Sequence, residues 1–256
     1  AGHTRLHPAA DRGSAMQVTV AKTAGFCFGV RRALELTLKS AALSPTCTLG
    51  ELIHNRQVVE ELAGQGVAVI ERPEDAPAGT AVVIRSHGVG PQVYDTLRAQ
   101  GSPVIDATCP FVKRIHQIAA EVPENGLLLL AGRREHPEVQ GILGYCRGPA
   151  LVFSSAEEMQ ELLAFLPSDG NIPVILAAQT TFSLREWEKI LFFAKKVCTN
   201  LKVFDTICRA TIERQSEAKQ LAQSADAMVV VGGLHSANTT ALAALCGSYC
   251  PTVQVE

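Results

Sequence analysis

Several common signatures are missing from this chain, and each absence narrows what it does. No apolar run nears the roughly 20 residues of a helical membrane span. There is no excess of positive charge: 23 Lys and Arg stand against 25 Asp and Glu, so no overall basic field attracts nucleic acid. No two cysteines are spaced C-x-x-C, which excludes zinc ribbons and thioredoxin-like redox sites. The G-x-x-x-x-G-K-[ST] pattern of a P-loop is absent. The leading residues AGHTRLHPAADRGSA lack the apolar segment of a secretory signal. They read as a flexible extension over 1–15, with His3 and His7 as solvated bystanders, and MQVTVAK then opens a strand.

What is present is cysteine in an ordered arrangement. Eight cysteines without a secretion signal suit a reducing compartment, and metal or redox chemistry rather than disulfides. Three of them recur in one context: VTVAKTAGFCFGVRR with Cys27, VIDATCPFVKR with Cys109 and VFDTICRATIER with Cys208. In each, a β-branched run leads through a small or polar turn to Cys and then a helix-like stretch with basic residues. A cysteine in the first turn of a helix meets the positive end of its dipole, which favours thiolate. Spacings of 82 and 99 residues let the three meet only through tertiary folding, at one metal centre with three protein ligands. Cys47, Cys146, Cys198, Cys246 and Cys250 fall outside the repeat and read as small buried hydrophobes.

Short apolar strands alternate with helical patterns throughout, which predicts an α/β fold with largely parallel sheets. Followed through each cysteine, the order repeats and divides the chain into three α/β lobes, 16–109, 110–208 and 209–256. The first two units each offer two polar loops at the C-terminal ends of strands, where open α/β sheets bind ligands. The third offers one, in GGLHSANT, and reaches its second strand near Thr252–Val255 as the sequence ends, so the third lobe is expected to be incomplete and visibly smaller.

The loops carry His54, His87 and His136, in GELIHN, RSHGV and REHPEV, at strand-to-helix positions read as equivalent. Imidazolium donors beside helix N-termini suit a multiply charged anion. Ser236, Asn238, Thr180 and Thr181 add neutral donors. Glu138 follows His136 by two residues, a place that fits an ordinary first-turn helix acid and equally a proton donor beside the anion.

Taken together, GFCFGVRRA, GELIHN, RSHGV, DATCP, HPEVQG, QTT, DTIC and VGGLHSANTTALA resemble the 4-hydroxy-3-methylbut-2-enyl diphosphate reductase, or LytB-type, family, from about Met16 onward. The resemblance implies three pseudo-repeated lobes around a central [4Fe-4S] cluster held by Cys27, Cys109 and Cys208, with one iron lacking a protein ligand. It implies reductive loss of the substrate hydroxyl as water, giving isopentenyl and dimethylallyl diphosphate. His54, His87, His136, Ser236 and Asn238 match diphosphate-binding positions, Glu138 the proton-delivering acid, and Thr180 a residue that orients substrate and water. Reduced ferredoxin or flavodoxin is the implied electron donor, and the implied location is cytoplasmic, or the plastid stroma if residues 1–15 are a transit-peptide remnant. Ala237 stands where the family usually has a second serine, and an A-G-A-S-T-P-like loop of the family has no counterpart before Glu256. Two other readings compete: an aconitase-type hydro-lyase, which would need carboxylate-binding arginines near its cluster, and an inactive or sensory cluster-binding fragment.

Overall fold

Fully buried parallel strands read in sequence as unbroken apolar runs, because both faces of the sheet are covered. AVVI, LLLLA and VILAA are such runs, TCTL alternates threonine with apolar residues, and each of the four is buried at every residue. In the computed structural model, which describes residues 16–164 and 172–256, they form the centres of two similar sheets. The extension expected over 1–15, and Phe165 at the end of an expected helix, lie outside the described residues.

The first sheet is preceded by α1 (Phe28–Ala41) and contains β1 (Thr46–Leu49), α2 (Arg56–Gly64), β2 (Ala68–Ile70), β3 (Ala81–Ile84), α3 (Pro91–Ala99) and β4 (Val104–Asp106) in chain order. The second follows the same plan: α4 (Pro110–Ala120), β5 (Leu127–Ala131), α5 (Pro137–Leu143), β6 (Ala150–Phe153), α6 (Ala156–Ala164), β7 (Val174–Ala178), α7 (Leu184–Val197) and β8 (Leu201–Val203). Their spatial orders, β2-β1-β3-β4 and β6-β5-β7-β8, are equivalent and wholly parallel. The order reverses between β1 and β3 and between β5 and β7, which opens a crevice at the C-terminal strand ends there. The third unit comprises α8 (Arg209–Ala222), β9 (Met228–Val231), α9 (Ala237–Gly247) and β10 (Thr252–Val255), and its parallel sheet has two strands among the described residues.

Alternation along the central strands fills two cores per sheet. In the second lobe Leu127, Leu129 and Leu176 pack under α7 with Trp187 and Ile190. Leu128, Leu130 and Ile175 face the opposite way, onto α4 and α5 with Ile115, Ile118, Val139 and Ile142. No helix among the described residues is long and apolar enough to cross a membrane.

The strand expected in MQVTVAK does not form. Val18 and Val20 are 73% and 76% exposed and have no ladder partner among the described residues. β-branched residues favour a strand only where an edge is available to pair with. Polar anchors act instead: the backbone N–H groups of Lys22 and Thr23 donate to the Glu217 carboxylate, both at 2.8 Å. Arg214 donates to the carbonyls of Thr23 and Gly25. The segment before Cys27 is thereby tied to α8 of the third lobe.

Candidate functional site

Each repeated cysteine caps a helix. Cys27, Cys109 and Cys208 are the N-caps of α1, α4 and α8, and none of their side chains makes a capping hydrogen bond. The sulfur atoms are thus left for another use. Two repeats place their cysteine identically: Cys109 N–H donates to Ser86 O and Cys208 N–H to Thr180 O, both at 3.0 Å, from matching positions after β3 and β7. The Cys27 and Cys109 sulfurs approach each other at Gly29. A Cβ there would lie 2.7 Å from Cys109 Sγ and 3.9 Å from Cys27 Sγ, so glycine is what lets α1 approach. Cys208 is close enough to act electrostatically on Cys109, and its own Sγ lies 3.1 Å from Thr211 Oγ1.

The expectation that helix ends favour thiolate needs correction at Cys109. Burial pushes this thiol up, ahead of the opposing backbone N–H groups of Phe111 and Val112, and the neighbouring Cys27 and Cys208 add to the rise. Desolvation disfavours the charged form more than a helix end favours it. A metal bound at this thiol would displace a proton. Of the other five cysteines, also free, Cys47 and Cys246 are buried as small hydrophobes are, whereas Cys146, Cys198 and Cys250 are only partly buried.

His54, His87 and His136 come together. Their ring centroids are 4.8 Å apart for His54 and His87, 5.3 Å for His87 and His136, and 5.9 Å for His54 and His136. Their equivalence is partial. His54, His136 and Ser236 each follow a strand-end glycine (Gly50, Gly132, Gly232) by four residues, whereas His87 belongs to the second kind of loop and matches Thr181. His136 and Ser236 cap α5 and α9, while Asn55 caps α2.

The potential ligand atoms of the three imidazoles lie within 4.8 Å of one another, a spacing that on distance alone would suit a metal ion. One hydrogen bond decides otherwise. His136 Nδ1 accepts from Glu138 N–H at 3.1 Å, so the proton of the neutral ring sits on Nε2. That ring presents a donor to the cluster of imidazoles, which suits an anion. His54 Nδ1 lies 3.4 Å from Glu51 Oε2.

The imidazoles are not imidazolium, as the sequence led one to expect. Burial pushes His136 down to about 3, with His54, Arg133 and Arg85 adding repulsion. His87 is held well below its ordinary value by burial and by His54, His136 and Arg85, and His54 is lowered mainly by burial. Near neutral pH the three rings are uncharged until an anion offsets these terms.

Glu138 is no exposed first-turn acid. It is 2% exposed, and its two oxygens accept from Thr180 alone: Oε1 from the backbone N–H at 2.7 Å, Oε2 from the hydroxyl at 2.8 Å. Burial pushes its carboxyl up to about 7, against those two hydrogen bonds. Thr180 also receives the Cys208 N–H on its carbonyl, so one residue joins the acid to the sulfur centre. Ser236 and Asn238 are half-buried; Ser236 Oγ accepts from Thr239 N–H at 3.4 Å, which leaves the hydroxyl proton to donate elsewhere. Their loop is pressed against the first lobe, where Gly233 abuts the His54 carbonyl. Surface clefts of about 430 and 550 Å³, one lined by Tyr94, His116 and Tyr145 and one by Thr23 and Glu217, include none of these residues. Sequence reasoning passed over Arg85, which follows β3 directly and acts on all three imidazoles.

Three parallel α/β units, each entered through a helix that a cysteine caps, define a three-lobed α/β protein. The chain belongs to the LytB protein family, whose sequence model matches residues 18–256. It is 39% identical over 241 residues to the 4-hydroxy-3-methylbut-2-enyl diphosphate reductase of Caldanaerobacter subterraneus subsp. tengcongensis, covering 92% of this chain and 82% of that one. It is 43% identical over 237 residues to the reductase of the same name from Desulfovibrio desulfuricans, covering 89% and 82%. Among solved structures, that of (E)-4-hydroxy-3-methyl-but-2-enyl diphosphate reductase, the terminal enzyme of the non-mevalonate pathway, superposes with a TM-score of 0.68 at 36% identity, over 93% of this chain and 85% of that one. The Plasmodium falciparum E-1-hydroxy-2-methyl-but-2-enyl-4-diphosphate reductase superposes with a TM-score of 0.84 at 26% identity, over 91% and 74%.

Proposed function

We propose that the chain reduces 4-hydroxy-3-methylbut-2-enyl diphosphate to isopentenyl and dimethylallyl diphosphate. The substrate takes up two electrons and two protons and loses its hydroxyl as water. The observation that carries this reading is Thr180, which binds both oxygens of a buried acid titrating near 7 and also accepts from the N–H of Cys208. Cys27, Cys109 and Cys208 fit a cluster: their sulfurs are uncommitted to capping, those of Cys27 and Cys109 close on Gly29, and Cys208 is near enough to bear on Cys109. Bound there, a [4Fe-4S] cluster supplies one-electron reducing chemistry and an iron without a protein ligand. Reduced ferredoxin or flavodoxin, carriers of single electrons, would feed it.

This chain's residues then divide the remaining work. His54, His87 and His136 hold the diphosphate, with Ser236 and Asn238 adding neutral donors; His136 offers Nε2–H, and the other two imidazoles take up protons as the anion approaches. Glu138 holds the proton for the departing oxygen. Thr180 N–H always donates to Oε1, so the carboxyl proton is favoured at Oε2, where it meets the Thr180 hydroxyl. Proton transfer therefore runs through Thr180 Oγ1, and a carboxyl near 7 is matched to that task at neutral pH.

Glu138→Gln tests the assignment. Turnover should fall by about 10²–10⁴-fold while iron content and pyrophosphate affinity hold. Near-normal turnover would move the proton donor elsewhere.

A further inference from the structure

We propose that Arg85 is a further diphosphate-binding residue, the fixed positive charge of the anion site. The inference rests on the diphosphate reading above and adds a residue to it. Arg85 directly follows β3, two residues before His87. Its side chain crosses to the β1 loop and lies against Gly50: a Cβ there would overlap Nη1 and come within 3.1 Å of Cζ. Gly50 has φ +70°, so glycine is required both for the turn and for the close approach of the Arg85 side chain. The guanidinium has no ion-pair partner among the described residues, and its Nε is buried with no hydrogen bond.

A half-buried guanidinium with an unsatisfied Nε is costly unless something completes it. A structural arginine is ordinarily completed by a carboxylate or by backbone carbonyls, and this one has neither among the described residues. The three imidazoles on which its charge bears are uncharged near neutral pH and are no counter-ions. Its contact with Gly50 sets it on the loop that carries His54, and its charge lowers the proton affinity of all three imidazoles. Acids bear on it only from a distance, through Glu51 and Glu71, and Glu51 is itself engaged with His54. Arg133 is a further cation that bears on His136. An anion of more than one charge completes this set; a cation is repelled by it.

The test uses the anaerobically reconstituted holoprotein, with inorganic pyrophosphate as the probe. At about pH 8.5, where imidazoles are neutral, Arg85→Met should weaken pyrophosphate binding roughly ten- to a hundredfold, and Arg85→Lys should retain most of it. At about pH 6 the loss in Arg85→Met should shrink, because imidazoles freed of the guanidinium protonate more readily. A merely structural residue would lose as much at both pH values and would not be rescued by Lys; either result overturns the inference, as does an unchanged affinity in Arg85→Met. If Arg85→Met does not fold, Arg133→Gln at about pH 8.5 puts the same question: salt-dependent pyrophosphate binding should persist, and salt-independent binding would refute the role of Arg85. If the unaltered protein binds no pyrophosphate at either pH, the diphosphate reading itself fails.

Discussion

At the scale of single residues, the site is governed by desolvation set against local partners. His54, His87 and His136 are kept neutral by burial and mutual repulsion, whereas a bound diphosphate favours their charged forms. Binding should therefore take up protons above about pH 6.5. Calorimetry of pyrophosphate binding in buffers of different ionisation enthalpy reads this directly; an enthalpy independent of buffer would contradict it. Glu138 has the opposite sign for stability. Its folded value of about 7 lies above its ordinary 4.5, so the folded state binds the extra proton. Its contribution is fully present below about pH 4.5 and is lost as pH rises through 7. The melting temperature of Glu138→Gln should gain on that of the unaltered protein between those limits, and parallel curves would show the carboxyl is not perturbed. The residue types of the site were legible in the sequence, but their charge states were not. Helix-end position argued for a thiolate at Cys109, yet the depth of burial that overrides it is a tertiary fact. Whether Arg85 meets a carboxylate is equally invisible in RSHGV.

Elements were legible where burial is complete. β3 coincides with the unbroken apolar run Ala81–Ile84 and α7 with a strong 3.6-residue period over Leu184–Val197, patterns that leave little choice. Val18–Thr19–Val20 alternates as well as any strand and still fails, since no edge receives it. The helix N-termini make their own prediction. Gly29 lies in the first turn of α1, where alanine would ordinarily favour the helix by roughly 1 kcal/mol. Here its methyl would strike Cys109 Sγ, so Gly29→Ala should keep its helix content and lose iron on anaerobic reconstitution. Gly64→Ala is the control, because a Cβ there meets nothing within 4 Å. Equal iron in both variants would mean that the sulfurs do not close on α1.

At the scale of the whole molecule, repetition explains why so much could be read from one chain. Two sheets share one strand order, so a loop position recognised in one lobe locates its counterpart in the other. The third sheet departs from the pattern. Val229, Val231, Val253 and Val255 are 62%, 73%, 51% and 38% exposed, and the register sets Val229 beside Val253 and Val231 beside Val255 on one face. Such a patch promotes self-association. Val231→Thr with Val253→Thr keeps β-branching, and it should reduce light scattering at high concentration without changing iron content; unchanged scattering would show the face is not sticky.

The central claim is that three lobes bring electrons and protons to one allylic hydroxyl, and anaerobic turnover tests it most directly. Reconstituted protein is supplied with reduced ferredoxin or flavodoxin and 4-hydroxy-3-methylbut-2-enyl diphosphate, and electrons consumed are counted against products. The account predicts two electrons per hydroxyl lost, isopentenyl and dimethylallyl diphosphate as products, and none from Cys109→Ser. Loaded cluster and bound substrate without product, or water exchange without electron uptake, would contradict it.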